Sequence, residues 1–209
     1  MLEVQRICDG LWRWTAPHPD WIPDGEGPHD WPEQVGCVYY EAPDATVLID
    51  PLVPRAEDDA ARFTEALDRD VARRGLPVVV LRTIRWHERS REAIDRRYDV
   101  RRRWPAGVEA IPVGDPAGEV ALWLPEHRTL VVGDILLGSD VHGDAPGGLA
   151  VAPPSWHRDP PAQAAWYARA VPGELRRFAA LRPERVLVAH GTPVLAAAAA
   201  ALDAALATA

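Results

Sequence analysis

The chain has 209 residues, 47% hydrophobic and 26% charged, a balance that supports a globular fold with its own core. Its formal net charge of −8 argues against a broad nucleic-acid surface, and all 23 basic residues are arginine. The two cysteines, Cys8 and Cys37, form no Cys-x-x-Cys pair, which excludes a cysteine zinc motif and a dithiol redox motif.

The first residues, MLEVQRICDG, lack the apolar core of a secretory signal. Asp203 interrupts the alanine-rich tail, the one stretch near the roughly 18 apolar residues a membrane helix needs. The expectation is a cytoplasmic protein with no membrane span. Residues 3–15 predict two short strands around Asp9-Gly10. Residues 16–34, rich in Pro, Gly and Asp, predict a long loop carrying Trp21, Trp31, His18 and His29. VGCVYYEA and ATVLID predict a hairpin around Pro43-Asp44. AEDDAARFTEALDRDVARR predicts a helix, with acids in its first turn, arginines in its last and Gly75 as its stop.

VVVLRT reads as a buried strand that empties into TIRWHERS, residues 83–90. Ser90 is placed to cap a helix running to about Tyr98. VEAIPV predicts a strand, and VALWLP and TLVVGD a hairpin across Glu126-His127. Residues 138–161 predict a second long loop, holding His142, Trp156 and His157. A helix is expected from about Ala162 to Leu181, interrupted near Pro172. RVLVAH predicts a last strand, and the alanine-rich tail a helix. Strands and helices alternate irregularly, hairpins first, as in one α/β domain over residues 1–209.

Three segments in this order carry a resemblance to a known family: VYYEAPDATVLIDPL, GDPAGEVALWLPEHRTLVVGD and RPERVLVAHGTPV. They resemble the early hairpin, the central Gly-His-Thr…Gly-Asp segment and the closing Gly-His-Gly strand of the metallo-β-lactamase superfamily. The likeness spans roughly residues 3–200. It implies a four-layer αββα fold, two mixed sheets packed face to face with helices outside. It also implies hydrolase chemistry, with a pair of metal ions held by histidines and aspartates, several from a Thr-His-x-His-x-Asp-His loop. Such ions acidify a shared water.

Carried over from Thr83, that loop departs from the family pattern. Ile84 and Trp86 stand where its first two histidines belong, and neither ligates a metal. Glu88 replaces the loop aspartate, Arg89 the loop's last histidine and Asp115 the later histidine, while Asp134 and His190 are kept. His87 falls at a position expected to point away from the metals. A one-residue slip would align Arg85, His87 and Arg89 instead.

Three readings stay open. In the first, the pair of ions is lost and no cofactor is expected. Arg89 then takes the place of the second metal, pairing with Asp134 and reaching Asp115. His190, Asp134 and Glu88 would act as the catalytic groups. Arg89, Asp115, Trp86, His87 and His157 would bind a small, anionic molecule. In the second, one zinc or other divalent transition-metal ion sits on Glu88, Asp134 and His190. In the third, the chain is a non-catalytic binding module. A small-molecule ligand is the expected partner, with a homodimer left open and nucleic acid and membranes excluded. Trp21, Trp31, Trp86 and Trp156 are candidates for an aromatic pocket. No Gly-x-Ser-x-Gly elbow, phosphate loop or dinucleotide fingerprint is present.

Overall fold

The computed structural model describes residues 2–22, 31–156 and 159–208. Strands β1 (Glu3–Cys8) and β2 (Leu11–Pro17) run antiparallel across Asp9-Gly10, where Gly10 adopts a φ of 75°. β2 pairs with β3 (Gln34–Ala42), which turns at Pro43-Asp44 into β4 (Ala45–Ile49). Helix α1 (Glu57–Arg74) then crosses over to β5 (Val78–Leu81), parallel to β4, as a parallel pairing requires. Glu57, Asp58 and Asp59 open the helix, Arg73 and Arg74 close it, and Gly75 ends it in the left-handed conformation. These strands form one sheet in the order β1-β2-β3-β4-β5.

After the short helix α2 (Arg91–Arg97) come β6 (Glu109–Pro112), β7 (Val120–Leu124) and β8 (Thr129–Val131), an antiparallel meander. A two-stranded ribbon follows, β9 (Leu136–Gly138) with β10 (Leu149–Val151). Helix α3 (Pro160–Ala180) leads to β11 (Arg185–Leu187), which joins β8 in parallel, and α4 (Ala198–Thr208) closes the chain. The second sheet has the order β11-β8-β7-β6.

Side-chain alternation stacks these pieces in four layers. Leu11, Tyr40 and Ile49 of the first sheet pack on Leu122, Leu124 and Leu187 of the second. The first sheet's other face, with Trp14 and Leu48, is covered by Phe63 and Leu67 of α1 and Ile94 of α2. The second sheet's other face, with Trp123 and Leu130, is covered by Trp166 and Phe178 of α3 and Leu202 of α4. The expected αββα arrangement is present. Among the described residues, no helix is long and apolar enough to cross a membrane.

Four local expectations are corrected. The second long loop contains β10, a three-residue apolar strand held by β9. Helix α3 runs unbroken through Pro172, because Trp166, Val171, Leu175 and Phe178 bury both halves of it on the sheet. It also begins earlier than expected, at Pro160, where Asp159 accepts from the Ala162 amide at 3.1 Å. Ser90 precedes α2 but makes no side-chain cap. Its hydroxyl accepts from the Val53 amide at 2.9 Å and ties two loops together.

The two sheets also meet through backbone. Val35 bridges to His190, and the Gly36 amide donates to the Ala189 carbonyl at 2.7 Å. A Cβ on Gly36 would lie 2.6 Å from the Val188 carbonyl oxygen and 2.7 Å from the Arg13 guanidinium. Gly36→Ala should therefore destabilise the fold by about 1–3 kcal/mol. Urea unfolding checks this, and an unchanged midpoint would contradict the close sheet crossing.

Candidate functional site

β4 is followed at once by Asp50, a buried residue in the left-handed region with φ of 49°. Its Oδ1 accepts from the Thr83 amide at 2.9 Å. Its Oδ2 accepts from the Thr83 hydroxyl and lies 3.0 Å from His87 Nδ1. The loop leaving β5 is thus tied down at Thr83 and again at His87. The His87 amide closes a turn on the Ile84 carbonyl at 3.0 Å, and Arg89 takes φ of 40°. This path buries Ile84, turns His87 inward and leaves Glu88 outside.

With Nδ1 donating to Asp50, His87 presents Nε2 to Asp134, 3.3 Å from Oδ1. His190 Nε2, just past β11, lies 3.5 Å from the same oxygen. The three ligand atoms lie within 4.8 Å of one another, and all three residues are buried. Asp134 is gripped from two sides. The Gly133 and Asp134 amides each donate to the Glu119 carboxylate at 2.9 Å, and the Trp86 indole N–H donates to Asp134 Oδ2 at 2.8 Å. Around this cluster lies a cleft of about 330 Å³, walled by His18, Trp31, Trp86, Arg89 and Trp156.

Several sequence-derived placements change. His87 does not point away; it enters the cleft, as the one-residue slip has it. Arg89 forms no ion pair with Asp134 or Asp115 among the described residues. Its left-handed backbone sends the guanidinium to the Gly36 and Asp50 carbonyls, at 2.9 Å each, and its second amino group to 3.4 Å from His87 Nε2. Glu88 lies outside the cleft, its side chain 56% exposed and paired with Arg82 and Arg91. Asp115 is buried, but its carboxylate accepts from the Ala117 amide at 3.2 Å and the Glu119 amide at 2.6 Å, closing a turn instead of facing the cleft. Asp134, His190 and Trp86 do come together. His157 and His29 lie outside the described residues. Trp31 and Trp156 reach the site edge-on, with ring centroids 5.7 and 5.1 Å from His190. Trp21 instead donates to the Trp31 carbonyl at 3.1 Å, holding the loop.

Sequence reasoning missed the role of Asp50 in orienting His87, and missed Glu119 altogether. The one signal for Glu119 is an acid at the threshold of an apolar strand, where a charge needs a buried partner.

The electrostatics follow from burial and crowding. Burial opposes ionisation of Asp134, yet His87 and His190 hold it well below the usual carboxylate range. Burial and Arg89 depress His87, but the Asp50 and Asp134 carboxylates outweigh them and raise it. Burial lowers His190 despite Asp134, and burial with Arg89 brings His18 down to about 4. Burial, then the Asp134 and Asp115 charges, raise Glu119 well above the ordinary value.

The donor set suits a single divalent ion. Two imidazoles and a carboxylate form a zinc-type set, and ligand atoms on one tetrahedral ion lie roughly 3.4 Å apart. The distances of 3.3 and 3.5 Å to Asp134 Oδ1 match that spacing. Asp134 Oδ1 is buried without a hydrogen-bond partner, and the second nitrogen of His87 is held by a carboxylate, as in ligating histidines.

No protein-family model matches the sequence, and no curated protein matches it. Solved structures do. An NDM/FIM-1-like metallo-β-lactamase from Erythrobacter litoralis, in its mono-zinc form, aligns with a TM-score of 0.58 at 15% identity, over 99% of this chain and 95% of that one. The DIM-1 metallo-β-lactamase aligns at 0.58 and 14% identity, over 98% of each chain. A fragment of the putative diflavin flavoprotein A 5 from Nostoc sp. PCC 7120 aligns at 0.53 and 15% identity, over 100% of this chain and 98% of the other. At these identities the likeness is one of fold: the chain has the metallo-β-lactamase fold.

Asp50→Ala should cost about 3 kcal/mol at neutral pH, because the Thr83 amide and His87 lose a buried charged partner. Burial opposes the ionised Asp50, but His87 outweighs it and the folded-state pKa is lowered. The stabilisation is therefore present above the ordinary value of 3.8 and fades as pH falls through the depressed one. Denaturant midpoints should show the wild-type advantage at pH 7 and its shrinkage in acid; a pH-independent gap would contradict the assignment.

Proposed function

We propose that the cleft holds one divalent transition-metal ion on His87, Asp134 and His190, and that the protein is a mononuclear hydrolase of small, anionic substrates. The observation that carries this reading is the convergence of both Nε2 atoms on Asp134 Oδ1, an oxygen buried without a hydrogen-bond partner. His87 takes the part that the sequence assigned to Glu88. When bound, the ion would supply Lewis acidity and an acidified water. Asp50 keeps the His87 lone pair on Nε2 by accepting from Nδ1. Arg89 brings a permanent positive charge to the cleft wall, suited to an anionic group or a developing oxyanion. Trp31 and Trp156 give the substrate an apolar wall and keep water from the reacting centre. The mono-zinc form of a metallo-β-lactamase that shares this fold supports a one-ion arrangement.

One observation favours a second, metal-free reading. The Arg89 guanidinium can only donate, and it stands 3.4 Å from the same His87 nitrogen that would bind the ion. There, His87, oriented by Asp50, would act as general base toward water, with Arg89 facing the oxyanion.

Metal analysis separates the two. Protein stripped by chelator and reloaded with zinc should retain one ion per chain. Zinc at about 100 times its Kd should raise stability by roughly 2.7 kcal/mol. His87→Ala, Asp134→Ala and His190→Ala should each abolish retention, whereas Glu88→Ala should keep it. Esters, thioesters, lactones and phosphodiesters are the substrates to screen. Turnover that chelator stops and zinc restores supports the one-ion enzyme. Turnover indifferent to chelator supports the metal-free one.

A further inference from the structure

A carboxylate has two oxygens and can present either one or both to a cation. In this cleft the choice is made by Trp86. Its indole N–H donates to Asp134 Oδ2 at 2.8 Å, while Oδ1 faces the two histidines. Indole nitrogen is a donor only, so it neither accepts a hydrogen bond nor binds a metal. An N–H pointed at Oδ2 takes one of its two lone pairs and turns a positive hydrogen toward any cation that approaches, so it disfavours a cation on Oδ2 and leaves Oδ1 the better ligand. The donor is also short and charge-assisted, the stronger class of hydrogen bond. Trp86 is braced from outside by Arg85, whose guanidinium carbon lies 5.6 Å from the indole centroid. On the backbone side, Glu119 fixes the Gly133 and Asp134 amides at 2.9 Å each. Asp134 is thus held at both ends, with one oxygen committed to protein and one left over.

We infer that Trp86 is a positioning residue that biases Asp134 toward ligating a single ion through Oδ1 alone, by holding Oδ2 in a hydrogen bond. This rests on the one-ion reading above. It gives Trp86 a ligand-orienting task, a polar function distinct from lining the cleft.

Cobalt(II) provides the test, because its visible absorption reports coordination number without any need for turnover. Wild-type protein should bind one cobalt ion with the intense bands of a four-coordinate site. Trp86→Phe keeps the aromatic bulk and removes the N–H. It should still bind one ion, with affinity lowered about 10- to 100-fold. Its bands should weaken as Asp134 becomes free to bind through both oxygens. Unchanged affinity and spectrum in a folded Trp86→Phe, with wild type binding cobalt, would overturn the inference and leave the one-ion reading standing. Failure of the wild type to bind cobalt would overturn both. If Trp86→Phe does not fold, wild-type protein carrying 15N-tryptophan decides. The Trp86 indole proton should exchange slowly and stay hydrogen-bonded on loading with zinc; its release on loading would overturn the inference.

Discussion

The site is organised by one buried carboxylate. Asp50 stands at the end of β4 and gathers the Thr83 amide, the Thr83 hydroxyl and His87 Nδ1. A buried anion is costly unless donors surround it. Here the donors all come from a single loop, so satisfying the charge also dictates the path of that loop. The same contacts hold Asp50 itself in a left-handed backbone conformation that a non-glycine residue rarely adopts unaided. His87 then has a fixed tautomer and a fixed direction. Everything chemical that follows, from its meeting with Asp134 to the approach of Arg89, depends on that orientation.

Much of the architecture was legible in the residues. Tight turns at Asp9-Gly10 and Pro43-Asp44 between apolar runs mark hairpins, and the acid-to-arginine gradient ending at Gly75 marks α1. What failed was local register. The family pattern laid on TIRWHERS puts Glu88 inward and His87 outward; the structure reverses them, because the left-handed turn at Arg89 and the pull of Asp50 shift the loop by one residue. No periodicity encodes such a shift. Glu119, four residues after Asp115, was passed over. Asp115 closes its own turn through the Ala117 and Glu119 amides, so Glu119 is the one that reaches the Asp134 backbone. Which acid serves the turn is decided by a backbone geometry that the sequence does not display. Pro172 failed for a different reason: burial of the helix face on both sides of it outweighs the lost hydrogen bond.

The arginines behave differently from the usual surface partners. Arg13 is 8% exposed and donates to the Gly191 carbonyl at 3.0 Å; Arg89 donates to two carbonyls near the same strand crossing. Neither forms an ion pair among the described residues. Backbone oxygens accept from the terminal amino groups of both guanidiniums without cancelling their charge, while each Nε stays buried without a hydrogen-bond partner, so positive potential persists beneath the cleft. Cys37 sits between them, yet burial pushes its thiol up to about 11. A cation nearby does not make a thiol reactive when no water reaches it.

The strand crossing at Val35 and His190 has a consequence of its own. His87 and Arg89 hang from one sheet, while Asp134 and His190 hang from the other. The candidate site is therefore an interface, and no half of the sandwich owns it. A breathing motion that parts the layers by an ångström would scatter these groups while leaving each layer's hydrogen-bond ladder whole. Binding at the cleft would then vanish at temperatures where spectroscopy still reports an intact protein. Conversely, whatever lodges in the cleft acts as a rivet, resisting shear between two slabs that otherwise meet mainly through oily side chains.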